Sequence, residues 1–167
     1  MVQGTKSIQK AIFAAGCFWG VQFYFDQVPG VIKTTVGYAG GHTENPTYEE
    51  VCTHTTGHAE AVLVEFDPEK VSYEALVRQF FHMHDPTQLN RQGSDVGDSY
   101  RSAIFYFNDQ QRQIAEDVHD KVRPKFKKPI VTQIVPATEF YEAEDYHQKY
   151  AERTGRGMCH IPYEPDV

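Results

Sequence analysis

Residues 8–25 read IQKAIFAAGCFWGVQFYF, and the rest of the fold is organised around this stretch. Its first half, from Ile8 to Ala15, is an apolar run of strand length that ends at Gly16. From Cys17 onward the large side chains recur at helical spacing, on a face formed by Phe18, Val21, Gln22 and Phe25. The pattern predicts a buried strand that passes through a glycine into a helix, with Cys17 at the junction.

Strands and helices alternate along the rest of the chain. Further strands are predicted at Val31–Tyr38, His58–Phe66, Tyr100–Phe107 and Ile130–Val135. Helices are predicted at Thr47–Cys52, after the caps Ser72 and Asn108, and at Glu142–Tyr150, with a long polar loop at Asp85–Ser99. This order predicts an α+β fold, a two-layer α/β sandwich with a mixed, mainly antiparallel sheet and a ferredoxin-like core. We expect a single catalytic domain over residues 1–167, with residues 151–167 forming a mobile, loop-rich C-terminal tail.

Composition and charge exclude several classes of function. The 167 residues carry 16 Lys and Arg against 23 Asp and Glu, a net charge of -7, which argues against nucleic acid or an anionic membrane as partner. No apolar run approaches the ~18 residues that cross a bilayer, and no secretory signal is visible. Three cysteines are too few for a disulfide scaffold. We therefore expect a cytoplasmic protein, and a monomer.

Cys17 is the first candidate for chemistry. A helix N-terminus stabilises a thiolate, but only by ~0.3–1 kcal/mol, so the dipole alone moves a thiol pKa of ~8.5 only part of the way to neutrality. The aromatic neighbours Phe18 and Trp19 can wall an apolar pocket beside the thiol. The alternative is a buried structural cysteine at a strand end.

Glu60 is the second candidate, because of its place in the predicted strand His58–Phe66. Strand periodicity puts it on the same face as Val62, Val64 and Phe66, which is the face expected to meet the core. Burial there would raise the pKa of the carboxyl and make it a proton donor near neutral pH. The alternative is a solvated strand end with Glu60 in water.

Other polar residues stand out less. Tyr38 and Tyr100 lie where strands meet loops, and Asp95 and Asp98 lie in a polar loop that turn chemistry explains equally well. The histidines His82 and His84 point to different faces of their helix, so we expect no metal. No motif for a nucleotide cofactor is present, and we expect no cofactor.

Taken together, the motifs resemble the A-type peptide methionine sulfoxide reductases over most of the chain. The matching segments are Gly16–Gly20, Gly37–Gly41, Asn45–Tyr48, Val51–Cys52, Thr56–Val62, Asp85–Thr87, Asn90–Gly93, Asp95, Gly97, Tyr100–Ile104 and Tyr146–Gln148. Enzymes of this type reverse the oxidation of methionine. One departure is Asp98-Ser99, where the family more often has a neutral polar residue and Gln.

The resemblance implies a role for each of the site residues. Cys17 would attack the sulfoxide sulfur, and Phe18 and Trp19 would hold the S-methyl group. The sulfoxide oxygen would accept hydrogen bonds from Tyr38, Glu60 and Tyr100, with Glu60 delivering the proton and Asp95 supporting this network. A cysteine sulfenic acid would remain, which a second thiol condenses to a disulfide.

The resemblance also implies the substrates and the electron donor. Methionine S-sulfoxide would be the substrate, either free or in oxidised proteins, with thioredoxin as the reductant. Cys159 would be the resolving cysteine, because Gly155 and Gly157 make its segment pliable and His160 would favour its thiolate.

Two other classes of function use the same residues. One is a cysteine hydrolase or acyltransferase with a histidine base, and the other is a sulfoxide-binding module without turnover.

Overall fold

The computed structural model describes residues 7–155. Within this range eight strands are present: β1 (Gln9–Ala15), β2 (Val31–Ala39), β3 (Ala59–Phe66), β4 (Arg91–Gln92), β5 (Asp95–Val96), β6 (Ser102–Tyr106), β7 (Gln133–Pro136) and β8 (Phe140–Glu142). Five α-helices accompany them there: α1 (Phe18–Asp26), α2 (Tyr48–Cys52), α3 (Tyr73–Met83), α4 (Asp109–Val122) and α5 (Tyr150–Thr154). Short 3₁₀ helices cover Asp98–Tyr100, Arg123–Lys125 and Asp145–His147. None of the helices in the described range is long and apolar enough to span a membrane.

Six strands form one sheet in the order β7-β6-β1-β3-β2-β8, and β4 and β5 form a separate hairpin. Every neighbouring pair in the large sheet is antiparallel except β6 and β7, which are parallel. The prediction of an α+β fold with a mixed, mainly antiparallel sheet is therefore confirmed. The ferredoxin-like label for its core stays a prediction.

The two faces of the sheet bury different kinds of side chain. On one face Phe13, Val62 and Val64 pack against α1, α3 and α4 in the main core. The opposite face is lined mostly by alanines, namely Ala14, Ala39, Ala59, Ala61 and Ala103, with Ile12 and Phe105 among them. Because side chains alternate along a strand, the sequence pattern of each strand assigns its residues to these faces.

The sheet is strongly curled, which the short connection between its edge strands requires. Only residues 137–139 separate Pro136 at the end of β7 from Phe140 at the start of β8. That connection spans at most about 14 Å, whereas the edges of a flat six-stranded sheet lie about 24 Å apart. The alanine-rich face is the inner side of the curl, because small side chains let the strands approach there. The sheet is thus curled, with the helices packed against its outer face.

The C-terminal part differs most from the predicted elements. The predicted helix Glu142–Tyr150 is wrong, because this segment leaves β8 and then docks on β2 through the side chain of Gln148. Its amide accepts from the Val36 N–H at 3.0 Å and donates to the Val36 carbonyl at 3.0 Å. The α-helix begins only at Tyr150, after Lys149, whose backbone lies in the left-handed region. Residues 151–154, predicted as the start of a mobile tail, belong to α5, and Ala151 is buried.

Candidate active site

Cys17 occupies the cap position immediately before the first turn of α1. The chain reaches it from β1 through Gly16, whose φ of 97° lies in the region that glycine adopts without strain. The first turn of α1 holds no acidic residue, and the thiol is half-buried. The predicted strand, glycine and helix junction is confirmed, and it presents the thiol at the positive end of the helix dipole.

Glu60 lies beside this junction, on β3. Its side chain is 1% exposed, and its Oε1 accepts a hydrogen bond from the Phe18 N–H at 3.2 Å. Burial raises the pKa of Glu60 to about 8, against the opposing effect of the Phe18 hydrogen bond and with a smaller rise from the negative charge of Asp95. Its other oxygen, Oε2, is buried and has no hydrogen-bond partner among the described residues. The predicted burial of this acid is confirmed, and the carboxyl is mostly protonated near neutral pH.

Three phenol groups lie close enough to sense the charge of Glu60, those of Tyr38, Tyr48 and Tyr100. Burial, followed by Glu60, raises the pKa of both Tyr48 and Tyr100 above its usual range. The charges of Cys17 and Cys52 also act on Tyr100, and the hydroxyl of Tyr48 is hydrogen-bonded to the side chain of Cys52. Both phenols therefore stay protonated and can donate hydrogen bonds.

The hydroxyl of Tyr38 is hydrogen-bonded to the C-terminal segment, and its role toward the sulfoxide oxygen stays a prediction. Tyr38 is fully buried opposite Glu60 in the β2–β3 ladder, but its hydroxyl donates to Glu144 Oε1 at 2.9 Å. Glu144 Oε2 accepts from the Tyr48 N–H at 3.0 Å. Burial opposes the ionisation of Glu144, but these hydrogen bonds, with a smaller effect of His147, hold its pKa below the usual value. Tyr38 thus supports the start of α2, with its hydroxyl committed to Glu144.

Sequence reasoning gave no role to Tyr48. Tyr48 is the first residue of α2, and a capping box fixes the N-terminus of this helix. The Glu50 N–H donates to Thr47 Oγ1 at 3.1 Å, and the Thr47 N–H donates to Glu50 Oε1 at 2.8 Å. Tyr48 is in the matching motif Asn45–Tyr48, and the Thr47-x-x-Glu50 spacing is visible in the sequence. Neither signal says that α2 lies next to Glu60, so only the fold identifies this phenol.

Aromatic rings enclose the space beside Cys17. Phe18 is fully buried, with its ring centroid 6.4 Å from that of Tyr48. Trp19 stacks on Tyr150 at a centroid distance of 4.0 Å, and its ring lies 6.4 Å from that of Tyr48. Phe18 and Trp19 therefore lie in a cluster of aromatic rings with Tyr48 and Tyr150, and their role in holding the substrate stays a prediction.

The remaining predicted residues are placed as follows. Asp95 lies half-buried in β5, and its charge acts on both Glu60 and Tyr100. Asp98, the departure from the family pattern, lies 3.5 Å from His54, measured from Oδ1 to Nδ1, at the edge of this region. Cys159 is outside the described residues. The site thus combines a thiol, a protonated carboxyl and two phenol donors in an aromatic enclosure.

Comparisons with known proteins agree with this chemistry. The family model of peptide methionine sulfoxide reductase matches residues 9–167. The MsrA of Methanosarcina acetivorans is 57% identical over 152 residues, 90% of this chain and 81% of that protein. The MsrA of Pasteurella multocida is 58% identical over 142 residues, 85% of this chain and 82% of that protein.

Solved structures give the same result. Reduced Mxr1 from Saccharomyces cerevisiae superposes with a TM-score of 0.88 at 31% identity, covering 98% of this chain and 94% of that one. Mxr1 in complex with Trx2 matches with a TM-score of 0.64 at 25% identity, covering 90% of each chain. With the sequence relatives, these matches show that the chain belongs to the A-type peptide methionine sulfoxide reductases.

Proposed function

We propose that this chain reduces methionine S-sulfoxide, free or in proteins, to methionine, with Cys17 as the nucleophile and Glu60 as the acid. One observation carries the proposal: the N–H of Phe18, the residue directly after Cys17, donates a hydrogen bond to the buried Glu60 carboxyl. It puts a proton donor beside a thiol at a helix N-terminus. A sulfoxide oxygen leaves sulfur readily only after protonation, so reduction needs this pairing.

The reaction balances with the groups of the site. The Cys17 thiolate attacks the sulfoxide sulfur while Glu60 gives its proton to the oxygen. The attack forms a bond between Cys17 Sγ and the substrate sulfur. The hydroxyl then passes from the substrate sulfur to Cys17 Sγ: the S–O bond of the substrate and the new S–S bond break, a Cys17 S–O bond forms, and methionine leaves with a restored lone pair on its sulfur. Cys17 is left as a sulfenic acid. Tyr48 and Tyr100 would donate to the sulfoxide oxygen as negative charge builds on it. In this proposal Tyr48 is the donor to the sulfoxide oxygen, a role that the family resemblance assigned to Tyr38.

The second half of the cycle needs a reductant. Cys159 would condense with the sulfenic acid of Cys17, releasing water and forming a disulfide. A thioredoxin would then reduce that disulfide, as the complex of the relative Mxr1 with Trx2 suggests. Asp95 would keep Glu60 protonated through its nearby negative charge. The cytoplasmic location and the monomeric state stay predictions.

A direct assay tests the proposal. The protein is incubated with each epimer of methionine sulfoxide and dithiothreitol, and methionine is quantified by chromatography. We expect turnover of the S epimer, no turnover by Cys17→Ser, and most of the activity in Cys52→Ala as the matched thiol control. Turnover by Cys17→Ser would overturn the role of Cys17. A hydrolase would instead release acid from an ester, and a binding module would bind the sulfoxide without producing methionine.

A further inference from the structure

The indole of Trp19 is tied to one buried histidine from the distant C-terminal segment. Trp19 Nε1 donates to His147 Nδ1 at 2.9 Å, across 128 positions of sequence. The two rings lie 5.5 Å apart, and the ring of Tyr150 stacks on the indole at 4.0 Å. The plane of the indole is thus fixed by one hydrogen bond and one stacking contact.

The direction of this hydrogen bond determines the tautomer and the protonation state of His147. An indole N–H can only donate, so Nδ1 must present its lone pair, and the neutral imidazole carries its proton on Nε2. Protonation would put a hydrogen on Nδ1 as well, facing the indole N–H, and the bond would be lost. Only the neutral form of His147 can therefore accept the hydrogen bond from the indole.

The surroundings keep His147 neutral over most of the pH range. The residue is 1% exposed and its ring touches those of Phe18 and Tyr48, at centroid distances of 5.3 and 4.3 Å. Its Nε2 is buried and finds no hydrogen-bond partner within residues 7–155, an arrangement that is costly and that a purely structural role does not require.

Charged and titratable groups reach His147 from two elements. Tyr48 and Glu49 approach from α2, and Glu144 and Tyr146 lie on the same segment as His147. Burial lowers the pKa of His147 below its usual 6.5, against the opposing effects of Glu144 and then Glu49. Protonation of His147 should thus occur below pH 6.5.

We propose that His147 is the positioning residue for Trp19, and that its neutral form holds the indole in the wall of the substrate pocket. Loss of the neutral form frees the indole, so substrate affinity falls on the acid side. The effect on affinity rests on the proposed reductase function. The coupling between His147 and Trp19 does not, because it is a property of the free protein.

Tryptophan fluorescence tests the coupling without substrate. Trp19 is the only tryptophan of the chain, so the emission reports on this indole alone. We expect the parent protein to show a reversible change in emission with a midpoint below pH 6.5. His147→Asn puts an amide oxygen near the position of Nδ1 and does not titrate, so it should keep the neutral-pH spectrum and lose the transition.

Two further variants complete the test. His147→Leu removes the acceptor, and its spectrum at neutral pH should resemble that of the acidic parent. His119→Gln, on the distant helix α4, is the control for titration of another histidine and should leave the transition unchanged. A transition that persists in His147→Asn, whose fold is checked by circular dichroism, would overturn the proposal.

Kinetics then test the consequence for the substrate. Loss of one hydrogen bond should raise the KM of His147→Leu roughly three- to tenfold, with a smaller effect on kcat, while His147→Asn stays near the parent. The KM of the parent should rise at acidic pH and that of His147→Asn should not. Equal KM values for the Leu and Asn variants would contradict the positioning role. If the parent lacked reductase activity, the proposed function would fail while the fluorescence result still decided the coupling.

Discussion

Replacing Glu60 by Gln removes the proton donor while keeping the shape of the side chain. The side-chain amide of the Glu60→Gln variant would retain an oxygen that can accept the Phe18 N–H, which the parent binds at 3.2 Å. The substitution should therefore leave the first turn of α1 and the position of Cys17 in place. Any change in rate then reports on the transferable proton.

The pKa of the acid sets the magnitude of the effect. With a pKa of about 8, Glu60 is about 90% protonated near pH 7. An unshifted carboxyl with a pKa of 4.5 would be about 0.3% protonated, so burial increases the available acid about 300-fold. General acid catalysis contributes roughly 10²–10⁴-fold, and we expect a loss near 10² because Tyr48 and Tyr100 still donate hydrogen bonds.

The assay is the pH dependence of kcat/KM for methionine sulfoxide reduction with excess dithiothreitol. For the parent we expect a descending limb with a midpoint near pH 8, where Glu60 ionises, and this limb should be missing in Glu60→Gln. The same descending limb in Glu60→Gln, or a rate within twofold of the parent near pH 7, would refute the role of Glu60 as the acid.

The same substitution should make the protein relatively more stable at high pH. The folded state raises the pKa of Glu60, so between pH 4.5 and 8 it binds a proton that the unfolded chain releases. The stability this proton contributes is fully present below pH 4.5 and is lost as the pH rises through 8. Urea unfolding should therefore show Glu60→Gln gaining stability relative to the parent from pH 5 to pH 9. A constant difference over that range would contradict the burial of an ionising carboxyl.

Three further sets of substitutions separate the remaining groups. Tyr48→Phe should lower kcat about tenfold, because it removes a donor to the sulfoxide oxygen. Tyr38→Phe should instead act mainly on thermal stability. Equal kinetic effects of the two substitutions would contradict this difference. Cys52→Ala should keep most of the activity, since Cys52 is exposed at the end of α2 and does not lie at a helix N-terminus. A loss like that of Cys17→Ser would refute this view. The Cys159→Ser variant should release one methionine per enzyme molecule without reductant. It should turn over with dithiothreitol but not with thioredoxin. Peptide mapping of the oxidised parent protein should show a disulfide between Cys17 and Cys159. Normal thioredoxin-dependent turnover by that variant would exclude Cys159 as the resolving thiol.

The local pattern of the sequence determined where Cys17 and Glu60 lie. An apolar strand, Gly16 and a helical repeat place Cys17 at a helix N-terminus. The alternation along β3 puts Glu60 on the core side with Val62 and Val64. Both inferences hold because the side-chain period of a strand and the 3.6-residue turn of a helix depend only on neighbouring residues.

Only the tertiary structure decided which distant groups surround that pair. Tyr38 and Glu144 are bonded across 106 positions, and Trp19 and His147 across 128, and no local period relates such residues. Their contacts arise because the sheet curls and because Gln148 binds the backbone of β2, carrying the C-terminal segment over α1 and α2. The sequence therefore identified a tyrosine at a strand end, and only the fold showed that the Tyr38 hydroxyl binds Glu144 whereas the Tyr48 hydroxyl binds Cys52, with both phenols close enough to sense the charge of Glu60.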